Sequence, residues 1–530
     1  MATQPPAARR GTRPHQPRHH EAAADAHLAV LGYERELKRS MNLWANISLG
    51  FTYLSPLVGV YSLFAFGLAL TGPPAFWWLL IVGAGQLLVA LVFGEVASQY
   101  PVAGGIYQWV RRLWNRRVAW LITWVYAWAM IVTVTSVAEF GGGFAAALFG
   151  FENTPRNGFL TAVALLLIAL ALNFSGTRTM ALVAQIGLLA ELTGVVALGL
   201  FLMLFRRHNS ITVLFDSMGA GGDRPFVWAF LAASLTGLFL FYGFEACGNV
   251  AEEVADPGRR IPRAMQLTIL IGGISAVVSF LGYLLAAPNL QAIVAGEVSD
   301  PIPAILQGAL GETGAKLFLI VAMLSFISCV LSLQAAASRL IYSFARDRMT
   351  PASDWLATVS PRHAVPTRAL LVACVVPIAL CGWVYAEPNA LAQITAFAVL
   401  GIYLAFQTVV FAALRMRRRG WQPAGAFSLG RAGWAVNVAA LAYGVISMVL
   451  LAWPSSVATG PERFLPLLGV LIVLGSGLAY LLAVRPDRLS TGPEGDALEI
   501  AARLRAANLT AIGPGVPSRA PADPAPAAEA

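Results

Sequence analysis

Charge is scarce in this chain: Asp, Glu, Lys and Arg make up 12% of its 530 residues, about half the share found in soluble domains. A soluble enzyme of this length is excluded, because its surface alone would need more. Lysine is almost missing, with Lys38 and Lys316 the two examples. The four cysteines, Cys247, Cys329, Cys374 and Cys381, sit in or beside apolar stretches and form no CxxC pair. Neither a disulfide framework nor a zinc site is indicated, no cofactor is expected, and the four read as small packing residues. None of the six histidines lies in an apolar run, which excludes a histidine proton relay across a membrane. No embedded His/Asp cluster or nucleophile motif suggests a membrane enzyme, and no filter repeat or charged ring suggests a selective channel. No apolar leader precedes the first long run, so no signal peptide is expected.

What is abundant is apolar surface. Hydrophobic residues make up 58% of the chain, with 49 Gly and 31 Pro among the rest, as in membrane proteins that cross the bilayer many times. The net charge of +9 follows the ends of the apolar runs and the N-terminal stretch. That is a topology signal, so the expected partners are a lipid bilayer and a small molecule, and no nucleic acid.

Twelve runs approach the ~20 residues that cross a bilayer: 48–70, 76–98, 118–140, 159–174, 180–205, 226–250, 267–287, 315–344, 369–386, 391–414, 434–453 and 464–484. They are continuously apolar, not alternating, which makes the protein all-α and not a barrel. The arginine bias of alternate loops (Arg111, Arg112, Arg116 and Arg117 after span 2, Arg415 and Arg417–Arg419 after span 10) places those loops and both termini in the cytoplasm. Residues 1–40 and 486–530, rich in Ala and Pro, are expected to be disordered cytoplasmic tails around a transporter domain at 41–485, with one short amphipathic stretch at 497–507.

Two spans carry interruptions. In span 1, Ser55-Pro56-Leu57-Val58-Gly59 removes a backbone donor and adds a flexible position one turn later. In span 6, Gly243 sits near the middle and the embedded carboxyl of Glu245 follows it. Spans 1 and 6 open two successive sets of five, and paired interruptions at corresponding positions point to an inverted-repeat transporter with its site at the breaks.

Four stretches then resemble permeases of the amino acid–polyamine–organocation superfamily, nearest to its amino acid/choline and GABA permease branch. They are the first span, GEVASQYPVAGGIYQW (94–109), FYGFEACGNVAEEVADPGRRIPRAM (241–265), and SRLIYSFARDRMTP (338–351) with HAVPTRAL (363–370). The resemblance covers about residues 35–485. It implies twelve transmembrane helices, with 1–5 and 6–10 as inverted repeats, helices 1 and 6 discontinuous, and helices 11 and 12 outside. It also implies secondary active transport of a small amine-bearing solute. By family position Phe239 would cover the substrate and Glu245 would sense substrate or proton; Phe244, beside the break, is expected among the substrate-binding residues with Ser55–Gly59, Phe239, Gly243 and Glu245.

Embedded ionisable groups are costly and therefore candidates. Glu245 and Glu191, mid-span in helix 5, are the proton-carrier candidates. The lysine that some proton-coupled relatives carry in helix 5 is absent. The competing reading is a sodium site from helix 1 carbonyls with Ser325 and Ser328 of helix 8; H+ is favoured over Na+. Glu95 is expected to be structural, paired with an arginine of its adjacent loop. Glu139 is expected near water and Arg339 to snorkel. Glu252 and Glu253 are expected to pair with Arg259 and Arg260, and Phe241 to pack. The expected function is proton-coupled import of an amino acid or related small amine across the cell membrane by alternating access. The alternatives are an exchanger or a choline, GABA or polyamine permease of the same fold, and, in another class, a sensor or channel; the short tails provide no folded sensory module.

Overall fold

A computed structural model describes residues 17–298, 301–387, 390–453, 464–493 and 495–507. Among them no strand forms; extended backbone pairs once, in an isolated parallel bridge between Met41 and Val254. Helices follow from the apolar runs, since only intra-segment hydrogen bonds can satisfy a backbone in hydrocarbon. Eleven helices among the described residues are long and apolar enough to cross a membrane, and the shorter Phe226–Leu238 completes a set of twelve.

In chain order the spans are Leu43–Thr71, Pro73–Gln99, Arg116–Phe149, Pro155–Phe174, Thr177–Phe205, the interrupted sixth that begins at Phe226, Pro257–Ala286, Pro301–Arg346, Thr367–Ala386, Ala390–Arg418, Gly430–Ala452 and Leu465–Val484. All-α, twelve-span architecture is thus as read from the sequence. Spans 3 and 8, corresponding members of the two sets of five, are the longest at 34 and 46 residues and pack against each other. Span 8 begins earlier than expected because Pro301–Leu310 leads into it across Gly311, whose φ of 71° bends the helix. In their most apolar windows spans 11 and 12 are 22% and 17% buried, against 83% for span 10. They lie at the periphery, where lipid replaces protein.

The tails correct the sequence reading. Pro17–Val30 is a helix, and Leu28, Leu31, Leu37 and Met41 are buried. Ala497–Ala506 is a second helix, capped by Asp496 and burying Ala497, Ile500, Ala501 and Leu504. The two pack together, and Gln99 at the end of span 2 bonds to both, its carbonyl to His27 Nε2 at 3.0 Å and its side chain to the Ala497 carbonyl at 3.3 Å. Each helix is too short to stand alone in water, so docking is what holds it. The remaining parts of the expected tails, 1–16 and 508–530, lie outside the described residues. The face bearing these two helices is called the terminal face below.

Candidate functional site

Span 1 stops at its middle. The Ser55 amide closes the first half on the Phe51 carbonyl at 2.7 Å, and Ser55 then turns left-handed at φ 39°. Pro56, with no amide to satisfy, starts the second half at its first position. In that first turn the Val58 amide reaches Ser55 Oγ at 3.4 Å and the Gly59 amide the Ser55 carbonyl at 2.9 Å. The Leu57 amide goes elsewhere: it donates to Glu191 Oε1 at 2.7 Å, and Ser55 Oγ donates to both oxygens of the same carboxyl at 3.0 and 3.1 Å.

Glu191 is fully buried in span 5, immediately before a π-helical turn, Leu192–Val196. Such wide turns mark functional positions in helices. A carboxylate seated on the first-turn amide of a half-helix is favoured by hydrogen bonding and by the positive end of the helix dipole. The sodium-site candidates come to the same place. Ser325 faces the Glu191 carboxyl. Ser328 touches Gly187, one turn earlier in span 5. Both serine hydroxyls bond to carbonyls of their own helix, Val321 and Ser325, at 3.0 Å. The two coupling hypotheses therefore concern one locus, with a carboxyl at its centre.

Span 6 loses its helix between Phe241 and Glu245. Gly243 has φ 116°, a conformation open to glycine and strained for other residues. Glu245 is fully buried; its Oε2 accepts from the Gly243 amide at 2.8 Å and its Oε1 from the Tyr126 hydroxyl of span 3 at 3.1 Å. The Tyr53 hydroxyl of span 1, buried and without a hydrogen-bond partner, faces the same carboxyl.

The two breaks touch. A Cβ on Gly243 would collide with the Tyr53 ring and lie 2.8 Å from the Leu54 amide, and one on Gly59 would lie 2.9 Å from Leu240 Cγ. Phe239 is edge-on to Phe140 of span 3 at 6.0 Å and to Tyr242 at 5.8 Å, which places it beside the crossing. Phe244 departs from expectation: its ring packs on Phe93 and Phe406 of spans 2 and 10, at 5.7 and 5.4 Å, and contributes backbone alone to the break. Phe241 packs as expected, against Gly83 and Gly273 of spans 2 and 7. Among the described residues no group of three His, Cys, Asp or Glu side chains could hold a metal ion.

Below the crossing, the terminal face is fastened by charge. Glu253 pairs with Arg339 through two bonds, 2.8 and 3.1 Å, and accepts from Thr177. Glu252 pairs with Arg346 at 2.9 and 3.1 Å and takes the Ala103 amide at 3.1 Å. These partners replace the expected Arg259 and Arg260. Arg339 is fully buried and does not snorkel. Asp347 accepts from Arg111, Tyr107 and Tyr33 at 2.7–3.0 Å, and the Tyr33 ring lies 4.2 Å from the Arg346 guanidinium. The Ser40 and Met41 amides bond to the Glu253 carbonyl. Glu95 is structural, as expected, but its partners are Arg417, Ser428 and the Leu429 amide instead of its adjacent loop. Glu139, expected near water, is half-buried with one oxygen lacking a partner.

On the opposite face, Tyr61 and Tyr283 share a 2.8 Å hydrogen bond. Phe144 stacks on Tyr61 at 5.0 Å, and Phe318 meets it edge-on at 5.9 Å. Sequence reasoning missed these tyrosines, and Tyr53, Tyr126 and Tyr242 of the crossing. The available signal was a buried-prone ring carrying a hydroxyl inside an otherwise apolar span.

The comparisons agree with this architecture. The chain is 25% identical to the amino-acid permease BAT1 of Arabidopsis thaliana over 81% of this chain and 88% of that protein. It is 26% identical to a choline transporter of Saccharomyces cerevisiae over 79% and 77%, and 24% identical to the thiamine transporter thi9 of Schizosaccharomyces pombe over 82% and 81%. The amino acid permease family model matches residues 41–475, and with two broken spans crossing at buried carboxyls, the chain belongs to that family of membrane transporters.

Proposed function

We propose that the protein is a proton-coupled secondary transporter of the cell membrane that imports an amino acid or related small amine by alternating access. Its site is the crossing of the two breaks, formed by Ser55–Gly59, Phe239, Gly243 and Glu245, with Glu191 adjoining it. The terminal face is the cytoplasmic one, because it carries the arginine-rich loops. Phe239 acts as the cover over the bound solute.

One observation carries the reading. Glu191 and Glu245 are fully buried at the crossing, and among the described residues neither has an ion-pair partner. An uncompensated carboxylate in a low-dielectric interior costs several kcal/mol. Each therefore gains by taking a proton or facing a cation, which is the requirement for coupling one to the other. The groups facing Glu245 are the Tyr126 and Tyr53 hydroxyls and the Gly243 amide; those facing Glu191 are Ser55, Ser325 and the Leu57 amide.

The test is uptake into proteoliposomes under an imposed pH gradient. Glu245→Gln, which fixes the protonated form's charge, is expected to retain binding and exchange while losing gradient-driven accumulation. Sodium-dependent uptake indifferent to the pH gradient would transfer coupling to Ser325 and Ser328.

A further inference from the structure

We infer that the cargo is an organic cation carrying no carboxylate, and that Glu191 sets this selectivity. The inference rests on the transport reading above and names the substrate class of the same site.

In a broken-helix transporter, the free amides at the start of a half-helix are the natural seat for a substrate's anionic group. Here that seat is taken by the protein itself. In the first turn of the second half of span 1, Pro56 has no amide, Leu57 donates to Glu191, Val58 to Ser55 Oγ and Gly59 to the Ser55 carbonyl. At the other break the Gly243 amide is held by Glu245. An incoming carboxylate would find these donors engaged and two carboxyls already present.

The same surroundings suit a cation. The first half of span 1, Leu43–Leu54, ends at the crossing with the negative end of its dipole toward it, and the positive end of the second half is already met by Glu191. Tyr53, Tyr126, Phe239 and Tyr242 supply aromatic faces and hydroxyls, and rings attract ammonium groups, quaternary ones included. The Tyr53 hydroxyl faces Glu245, and its oxygen can still accept from an ammonium N–H. The buried arginines are committed on the terminal face, Arg339 to Glu253, Arg111 to Asp347 and Arg112 to Gln108. None of these is left to neutralise the crossing.

The experiment uses pairs of compounds that differ by the carboxylate: choline against glycine betaine, propylamine against 4-aminobutyrate, histamine against histidine, and agmatine against arginine. Purified full-length protein is examined by thermal stabilisation and by counterflow in liposomes. The expected result is that the cation of at least one pair stabilises the protein at a concentration about a hundredfold below its carboxylate-bearing counterpart, because the added carboxylate is desolvated where the Leu57 and Gly243 amides are already engaged. Glu191→Ala, which releases the Leu57 amide and the Ser55 hydroxyl, is expected to narrow that ratio. Glu191→Gln keeps an oxygen for the amide, removes the charge, and serves if the alanine variant does not fold. Equal or better binding of the carboxylate members overturns the inference, as does silence from every cation, or a ratio unchanged in both variants. Counterflow separates the two readings. Cations that bind but never exchange refute transport, whereas amino acids that exchange preserve transport and refute the cation class.

Discussion

The two faces of the molecule are closed by different physics. The terminal face is closed by buried ion pairs: Arg339 with Glu253, Arg346 with Glu252 and Arg111 with Asp347. The opposite face is closed by rings and one hydroxyl pair, Tyr61 with Tyr283. Ion pairs are all-or-none, because removing one partner strands a charge in a dry site. Aromatic contacts are graded, each worth about 0.5–1.5 kcal/mol beyond its burial. On the proposed alternating-access reading, the terminal face is expected to behave as a latch, and the opposite face as a lid that yields contact by contact.

The contrast can be broken most severely where both faces meet. Gly243→Val forces a side chain onto Tyr53 and Leu54 at a φ of 116° and is expected to abolish transport. Loss of counterflow with normal membrane insertion is the check, and normal counterflow would remove the crossing from the mechanism. Next is Arg339→Ala, which leaves Glu253 unpaired at a cost of about 3–5 kcal/mol. The latch should then open, and the fully buried Cys247 should react with an impermeant thiol reagent applied to the terminal face. Protection equal to wild type would refute the latch.

Smaller effects sharpen the difference. Leu504→Asp places a charge where a fully buried leucine sat and should undock Ala497–Ala506, read as new protease cleavage between residues 486 and 507. Tyr61→Phe removes the hydrogen bond to Tyr283, of a kind worth about 0.5–1.5 kcal/mol, and should alter exchange rate by less than about tenfold. If it abolished exchange, the lid would be as all-or-none as the latch. The smallest effect is one of pH. Burial holds the His27 imidazole below its ordinary value, opposed by the Gln99 carbonyl and reinforced by Arg112. The docked helix thus favours neutral imidazole. Its docking is strongest above about pH 6.5 and weakens as pH falls through that value. Protection of the amides in 17–30 against hydrogen exchange, taken relative to their intrinsic rates at each pH, should fall at pH 5.5, and His27→Gln should remove that fall.

The spans and both breaks were legible because a bilayer imposes a length and Pro or Gly interrupts it. Partner choice was not. Glu252 and Glu253 precede Arg259 and Arg260 in sequence, yet they meet Arg346 and Arg339 of span 8, because helix packing brings together residues more than eighty positions apart. Arg339 read as a snorkelling side chain because its burial depends on Glu253, which periodicity cannot locate. The N-terminal helix was lost in alanine-rich composition, although Ala24, Leu28 and Leu31 repeat at helical spacing, whereas the amphipathic stretch at 497–507 was legible and its docking was not. Within the site, Glu191 was found as an embedded acid. Its role as the cap on Leu57 required the path of span 1 through Ser55 to be known.

The late position of one latch component bears on how the protein is made. Thr491 donates its amide to the Asp347 carbonyl, and Ala497–Ala506 seats beside Pro17–Val30. On the ribosome the first of these helices waits, without its neighbour, until every span has entered the bilayer. A nascent chain at that stage has its spans in place and the packing of the terminal face incomplete. Completion of this packing is therefore expected late in folding, and a truncation before residue 497 is expected to leave Pro17–Val30 without its neighbour in an inserted protein.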